Sequence, residues 1–97
     1  MMKSALIGKK VIVRTTGAGV HIGTLVAKEG AEVRLENAYR LWRWVGAFTL
    51  SQVAESGVKD GSRVGVVTPE IELTDACEVI TITDEAFNTL ENYVERV

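Results

Sequence analysis

Between residues 10 and 35 the chain alternates β-branched runs with turn residues, a rhythm that commits it to an antiparallel sheet. Lys10-Val11-Ile12-Val13-Arg14-Thr15 is rich in side chains that restrict χ1 and favour an extended backbone. Gly17-Ala18-Gly19 follows, and glycine supplies the positive φ that a tight hairpin needs. Val20-His21-Ile22-Gly23-Thr24-Leu25-Val26 reads as the returning strand. A second turn at Lys28-Glu29-Gly30 leads to Glu32-Val33-Arg34-Leu35, whose polar and apolar residues alternate strictly. These segments predict a three-stranded meander, and Tyr39 to Val45, dense in bulky residues, predicts a fourth strand.

The pattern changes after Gly46. Thr49-Leu50-Ser51-Gln52 has the capping-box arrangement, so a short helix is expected over residues 50–56, stopping at Gly57. Residues 58–61 read as loop, and Ser62 to Val67 as a strand ending before Pro69, which cannot donate to a ladder. Glu70-Ile71-Glu72-Leu73 and Glu78-Val79-Ile80-Thr81-Ile82 suggest a strand pair, or one long strand with a break. Thr83 caps a final helix with Asp84 and Glu85 in its first turn and an apolar stripe of Phe87, Leu90 and Val94. The expected fold is α+β: one domain over 1–97, a small antiparallel β-meander or barrel-like sheet with a short middle helix and a C-terminal helix. A chain of 97 residues is too short for two domains. Its core is modest, so a homo-oligomer is expected.

Little in the chain points to catalysis. The single cysteine, Cys77, excludes an intramolecular disulfide and reads as a small buried hydrophobe. One histidine and one cysteine cannot by themselves build the usual structural zinc sites, and no cofactor motif is present. His21 has a pKa suited to a general base, but no partner can be named for it. A strand residue at a sheet face, or a hydrogen-bond donor to a ligand, is the alternative. Glu70 and Glu72 share a strand face by alternation, which an exposed sheet surface explains. Gly17-Ala18-Gly19 joins two strands and opens no helix, so it fails as a phosphate-binding loop. The N-terminal Met1–Ile7 lacks the apolar stretch of a secretory leader, and no run approaches the ~20 apolar residues of a membrane span. A cytoplasmic, non-catalytic binding protein is the expectation.

Charge is unevenly distributed. Residues 1–45 hold eight Lys or Arg against three Glu, a balance of +5. Residues 46–97 hold three against ten Asp or Glu, a balance of −7. A basic face that attracts anions would follow, unless the two halves neutralise each other. The most distinctive segment is Arg40-Leu41-Trp42-Arg43-Trp44. In an extended backbone Arg40, Trp42 and Trp44 face one way while Leu41, Arg43 and Val45 face the other. Indole rings beside a guanidinium make a platform for a nucleobase, and arginine pairs with phosphate. Two tryptophans on one strand also build cores and subunit interfaces. Arg14, beside the Thr15-Thr16-Gly17 turn, is a further anion candidate, ahead of Arg34 in mid-strand.

Three strings carry a resemblance: V-I-V-R-T-T-G-A-G-V-H-I-G-T-L (Val11 to Leu25), A-Y-R-L-W-R-W-V-G-A (Ala38 to Ala47) and T-L-S-Q-V-A (Thr49 to Ala54). With E-I-E-L-T-D-A-C-E-V-I (Glu70 to Ile80), they resemble a family of small tailed-phage proteins. In size and architecture the chain is also similar to phage sponge proteins of the anti-Thoeris and anti-CBASS kind, which trap cyclic nucleotide immune signals without degrading them. That resemblance implies a small cyclic nucleotide as partner. The stacking argument then makes Arg40, Trp42, Arg43, Trp44, Arg14 and His21 the candidate contacts. A second resemblance, from Ile22 to Ala27 and Val33 to Ala38, is to the first motif of Sm-like RNA-binding proteins and implies a bent, barrel-like sheet. The net charge of −2 weighs against a nucleic-acid polymer as partner. A third class is a phage inhibitor that binds a host protein, as anti-CRISPR proteins do, or a structural accessory protein.

Overall fold

The computed structural model describes residues 5–47 and 49–95. The elements run β1 (Lys10–Thr15), β2 (Val20–Glu29), β3 (Glu32–Arg43), α1 (Leu50–Ser56), β4 (Arg63–Val64), β5 (Thr68–Leu73), β6 (Ala76–Thr81) and α2 (Asp84–Glu91). All strand pairs are antiparallel, in the order β4-β3-β2-β1-β6, with β5 also pairing β3. The fold is therefore the α+β arrangement expected, a β-rich meander with one helix in mid-chain and one near the C-terminus. Part of the leader reading at Met1–Ile7 lies outside the described residues.

Three expectations about the strands are corrected. The third and fourth strands are one strand, β3, of 12 residues. Asn37, at φ 51°, interrupts its alternation without ending it. The N-terminal part of β3 pairs with β5 and its C-terminal part with β4, so a single bent strand serves two neighbours. The strand expected over Ser62 to Val67 is only Arg63–Val64. Pro69 lies inside β5, where an edge strand tolerates the missing N–H. Finally, β5 and β6 do not pair with each other: β5 adds to β3 and β6 to β1. The chain crosses between them at Thr74-Asp75, anchored by Thr16 N–H to Asp75 O (3.1 Å) and Ala76 N–H to Ala31 O (3.0 Å).

The Val11-Ile12-Val13 run is apolar throughout because β1 is covered on both sides. Ile12 joins Val20, Ile22, Leu41 and Val64 beneath α1 and α2, with Leu50, Val53, Phe87 and Leu90 supplied by the helices. Val11 and Val13 face Leu25, Val33, Leu35, Ala38 and Leu73 on the other side. Each such side chain stabilises the fold by about 1.5–3 kcal/mol when fully buried.

Thr49 caps α1 with a complete capping box: its Oγ1 accepts from Gln52 N–H and its own N–H donates to Gln52. Gly57 closes the helix at φ 82°, where an added Cβ would overlap Thr89. Thr89 Oγ1 accepts from Val58 N–H at 3.0 Å, and this contact locks the two helices together. Thr83 caps α2 as expected, but Val94 lies beyond the helix in an isolated bridge to Val64. Cys77 is exposed rather than buried. It stands on β6, an edge strand of the sheet, with its Sγ 3.3 Å from Arg14 O.

Candidate functional site

Two adjacent ladder rows define the relevant end of the sheet. Val13, His21 and Arg40 lie side by side across β1, β2 and β3, while Arg14, Val20 and Leu41 form the next row. Alternation sends neighbouring rows to opposite faces. Val20 and Leu41 enter the helix-side core, so His21 and Arg40 project from the other face, along with Val13.

His21 is buried, 2% exposed. Its Nε2 lies 2.7 Å from the Ala18 carbonyl oxygen. A carbonyl can only accept, so Nε2 carries the proton. The same oxygen accepts from Arg40 Nη2 at 3.0 Å. The Arg40 guanidinium in turn lies over the Trp42 ring, with Cζ 4.9 Å from the centroid, within cation–π range. Trp42 is 61% exposed, unusual for so large an apolar side chain.

These groups border a cleft of about 370 Å3 between β3 and the segment leading into β5, whose far wall is Gly65, Val66, Thr68 and Ile71. Gly65 N–H donates to Arg40 O at 2.8 Å and holds that wall against β3. A second cleft of about 340 Å3 runs from Trp42 and Trp44 to the Gly17–Val20 turn. A third, of about 490 Å3, is lined by Trp42, Arg43, Arg63 and Glu95. Trp42 borders all three.

The electrostatics follow from burial. The His21 pKa is lowered, first by burial and also by the Arg40 cation, while its bond to Ala18 and the charge of Asp75 act in the opposite direction. Near neutral pH His21 is therefore an uncharged donor with its Nε2–H committed to Ala18. Among the described residues no group of three or more His, Cys, Asp or Glu side chains gathers as a metal site, and no helix is long and apolar enough to cross a membrane.

The six candidate residues do not form one cluster. His21, Arg40 and Trp42 are brought together. Trp44 follows the end of β3, is half-buried, and packs against the helix-side core, so the two tryptophans do not continue a single face. The β3–β4 register shifts between Leu41 and Arg43, which breaks the alternation read from the sequence. Arg43 is exposed and stands opposite Arg63, whose Nη2 bonds Glu95 at 3.0 Å. Arg14 lies apart, 3.8 Å from Glu78 and in register with Val20 rather than His21. Arg34 is neutralised by Glu72 at 2.8 Å.

Sequence reasoning missed the Ala18 carbonyl, the 65–71 wall and Glu95. No local pattern could reveal them, because all three reach the site through tertiary packing.

A family model, Domain of unknown function (DUF6948), matches residues 8–90, and the chain belongs to that family. No curated protein and no solved structure matches it significantly.

Proposed function

We propose that this DUF6948 protein is a non-catalytic binder that sequesters a small, planar, anionic ligand, a cyclic nucleotide signal being the leading class. One observation carries the reading: an exposed Trp42, with Arg40 over its ring, standing where three clefts meet. Exposing an indole costs hydration free energy that a stacked base recovers, and base–aromatic stacking contributes about 1–3 kcal/mol. Arg40 keeps N–H groups beyond the one given to Ala18, and guanidinium forks match phosphate oxygens. Arg43 adds positive charge on the neighbouring cleft. The clefts fall within the usual size of small-ligand sites. In this reading the protein is a phage anti-defence factor acting as a homo-oligomer in the host cytoplasm.

The test is depletion and recovery. Purified protein is incubated with cyclic dinucleotides, cyclic trinucleotides and cyclic ADP-ribose isomers, and free ligand is quantified before and after heat denaturation. Depletion followed by intact recovery supports sequestration. Recovery of an altered product makes the protein an enzyme, and no depletion across the panel removes the small-ligand reading.

A second reading rests on a different observation. Val66, 46% exposed, lines the same cleft as Trp42, and Val67, 47% exposed, follows it in the chain. Trp and Arg in such a patch are the residue types that dominate protein–protein hot spots. A host-protein partner is the outcome to pursue if no ligand is depleted.

A further inference from the structure

The Ala18 carbonyl is the common acceptor of two donors from different strands: His21 Nε2–H on β2 at 2.7 Å and Arg40 Nη2–H on β3 at 3.0 Å. Ala18 itself sits in a turn that is pinned on three sides. Its N–H donates to Thr15 Oγ1 at 2.8 Å, Thr15 Oγ1 donates to Gly19 O at 2.7 Å, and Gly17 N–H donates to Asp75 Oδ2 at 2.6 Å. A fixed carbonyl thus restrains a long, flexible arginine whose other contact is the Trp42 ring.

We infer that His21 is a positioning residue: through the shared Ala18 carbonyl it sets the Arg40 guanidinium over Trp42, and its protonation releases that hold. Its role in ligand binding rests on the function proposed above, whereas the coupling of His21 to Trp42 exists without any ligand. The physical reason is charge. Neutral His21 and cationic Arg40 share one oxygen comfortably, since carbonyl oxygen has two lone pairs. An imidazolium in the same place sets two cations on one acceptor, and burial of the ring leaves their repulsion only partly screened by solvent. The charged groups facing His21 are Arg40 from β3, Asp75 from the corner between β5 and β6, and Glu95 across the cleft. Asp75 is engaged with Gly17 N–H and Glu95 with Arg63. Arg40 is the cation with freedom to move, because among the described residues one neutral acceptor and one ring hold it.

The experiment uses Trp42 as its own reporter. Trp44→Phe leaves one tryptophan, whose emission is followed from pH 7.5 to 5, with circular dichroism confirming that the fold persists. A single emission step with a midpoint below about 6.5 is expected, since burial and Arg40 both oppose protonation of His21. The step should vanish when His21→Gln or Arg40→Gln is added. Absence of the step in the Trp44→Phe protein, or its persistence in His21→Gln, overturns the inference. If His21→Gln fails to fold, Arg40→Gln decides. A step that survives there reports direct quenching by the imidazole and also overturns it. In parallel, binding of cyclic di-AMP to the unmodified chain should weaken several-fold over the same range, as Arg40 leaves its place over Trp42. Absence of cyclic di-AMP binding at every pH counts against the ligand and leaves the emission result to judge the coupling.

Discussion

The two ends of β3 carry clefts of nearly equal volume and opposite character. At the N-terminal end, about 360 Å3 is lined by Lys28, Glu29, Glu32, Arg34 and Glu72 among others. At the C-terminal end, about 370 Å3 is lined by His21, Arg40, Trp42 and Glu95 among others. Arg34 and Arg40 sit six positions apart on one strand, yet Arg34 is exposed and bonded to a carboxylate. Arg40 is half-buried, and its contacts are a neutral carbonyl and an aromatic ring. Cavity size does not separate the two ends. What separates them is whether the cation already has an anion. Among the described residues Arg40 pairs with no carboxylate and remains available to an incoming phosphate, while Arg34 would first have to give up Glu72.

Leu35 is fully buried between the two ends. Leu35→Ala should destabilise the chain by about 2–5 kcal/mol in urea unfolding and damage both ends alike. An unchanged midpoint would mean that the sheet core does not unite them.

A smaller and more selective effect is expected at Trp42. Trp42→Ala should weaken cyclic nucleotide binding by about 5- to 150-fold, the equivalent of about 1–3 kcal/mol of stacking, while the unfolding midpoint stays close to that of the parent. Loss of assembly or folding in this variant would instead identify Trp42 as an interface residue.

His21, beside the C-terminal end of β3, makes stability depend on pH. The folded-state pKa of His21 lies below its unfolded value, so the folded chain binds the proton less readily. Its contribution to stability is present above about pH 6.5 and is lost as pH falls through the folded pKa. Unfolding midpoints measured from pH 7.5 to 5 should decline, and His21→Gln, if folded, should flatten that decline.

The smallest effect is expected at the other end of β3. Arg34→Ala should leave ligand binding unchanged and barely move the unfolding midpoint, because an exposed ion pair contributes little. A loss of binding there would transfer the site to the Lys28–Glu72 cleft.

Much of the fold was legible in the sequence because it is encoded locally. The β-branched run of β1, the glycine turn at 17–19, the Thr49 capping box and the Thr83 cap each follow from the conformational preferences of a few neighbouring residues. Strand partners were less legible. The sequence of Glu70–Leu73 says that it is extended, but not that it adds to β3 rather than to β6. The same limit applies to the site. Arg40 and Trp42 stood out by composition and spacing, and alternation placed them on one face. Alternation failed at Trp44 because β3 ends at Arg43 and the chain turns into the helix-side core.

By itself, then, the amino-acid order determined which stretches are strands, where the helices begin, and that one strand carries an unusual arginine–tryptophan pair. Tertiary structure alone decided that His21 and Arg40 meet on the Ala18 carbonyl, that Arg34 meets a carboxylate while Arg40 meets a carbonyl and a ring, and that residues 65–71 form the facing wall. Local dihedral preference acts over a few residues and is written into them. Partner choice across 22 residues from Ala18 to Arg40, or 38 from Arg34 to Glu72, depends on how the whole sheet curls and packs.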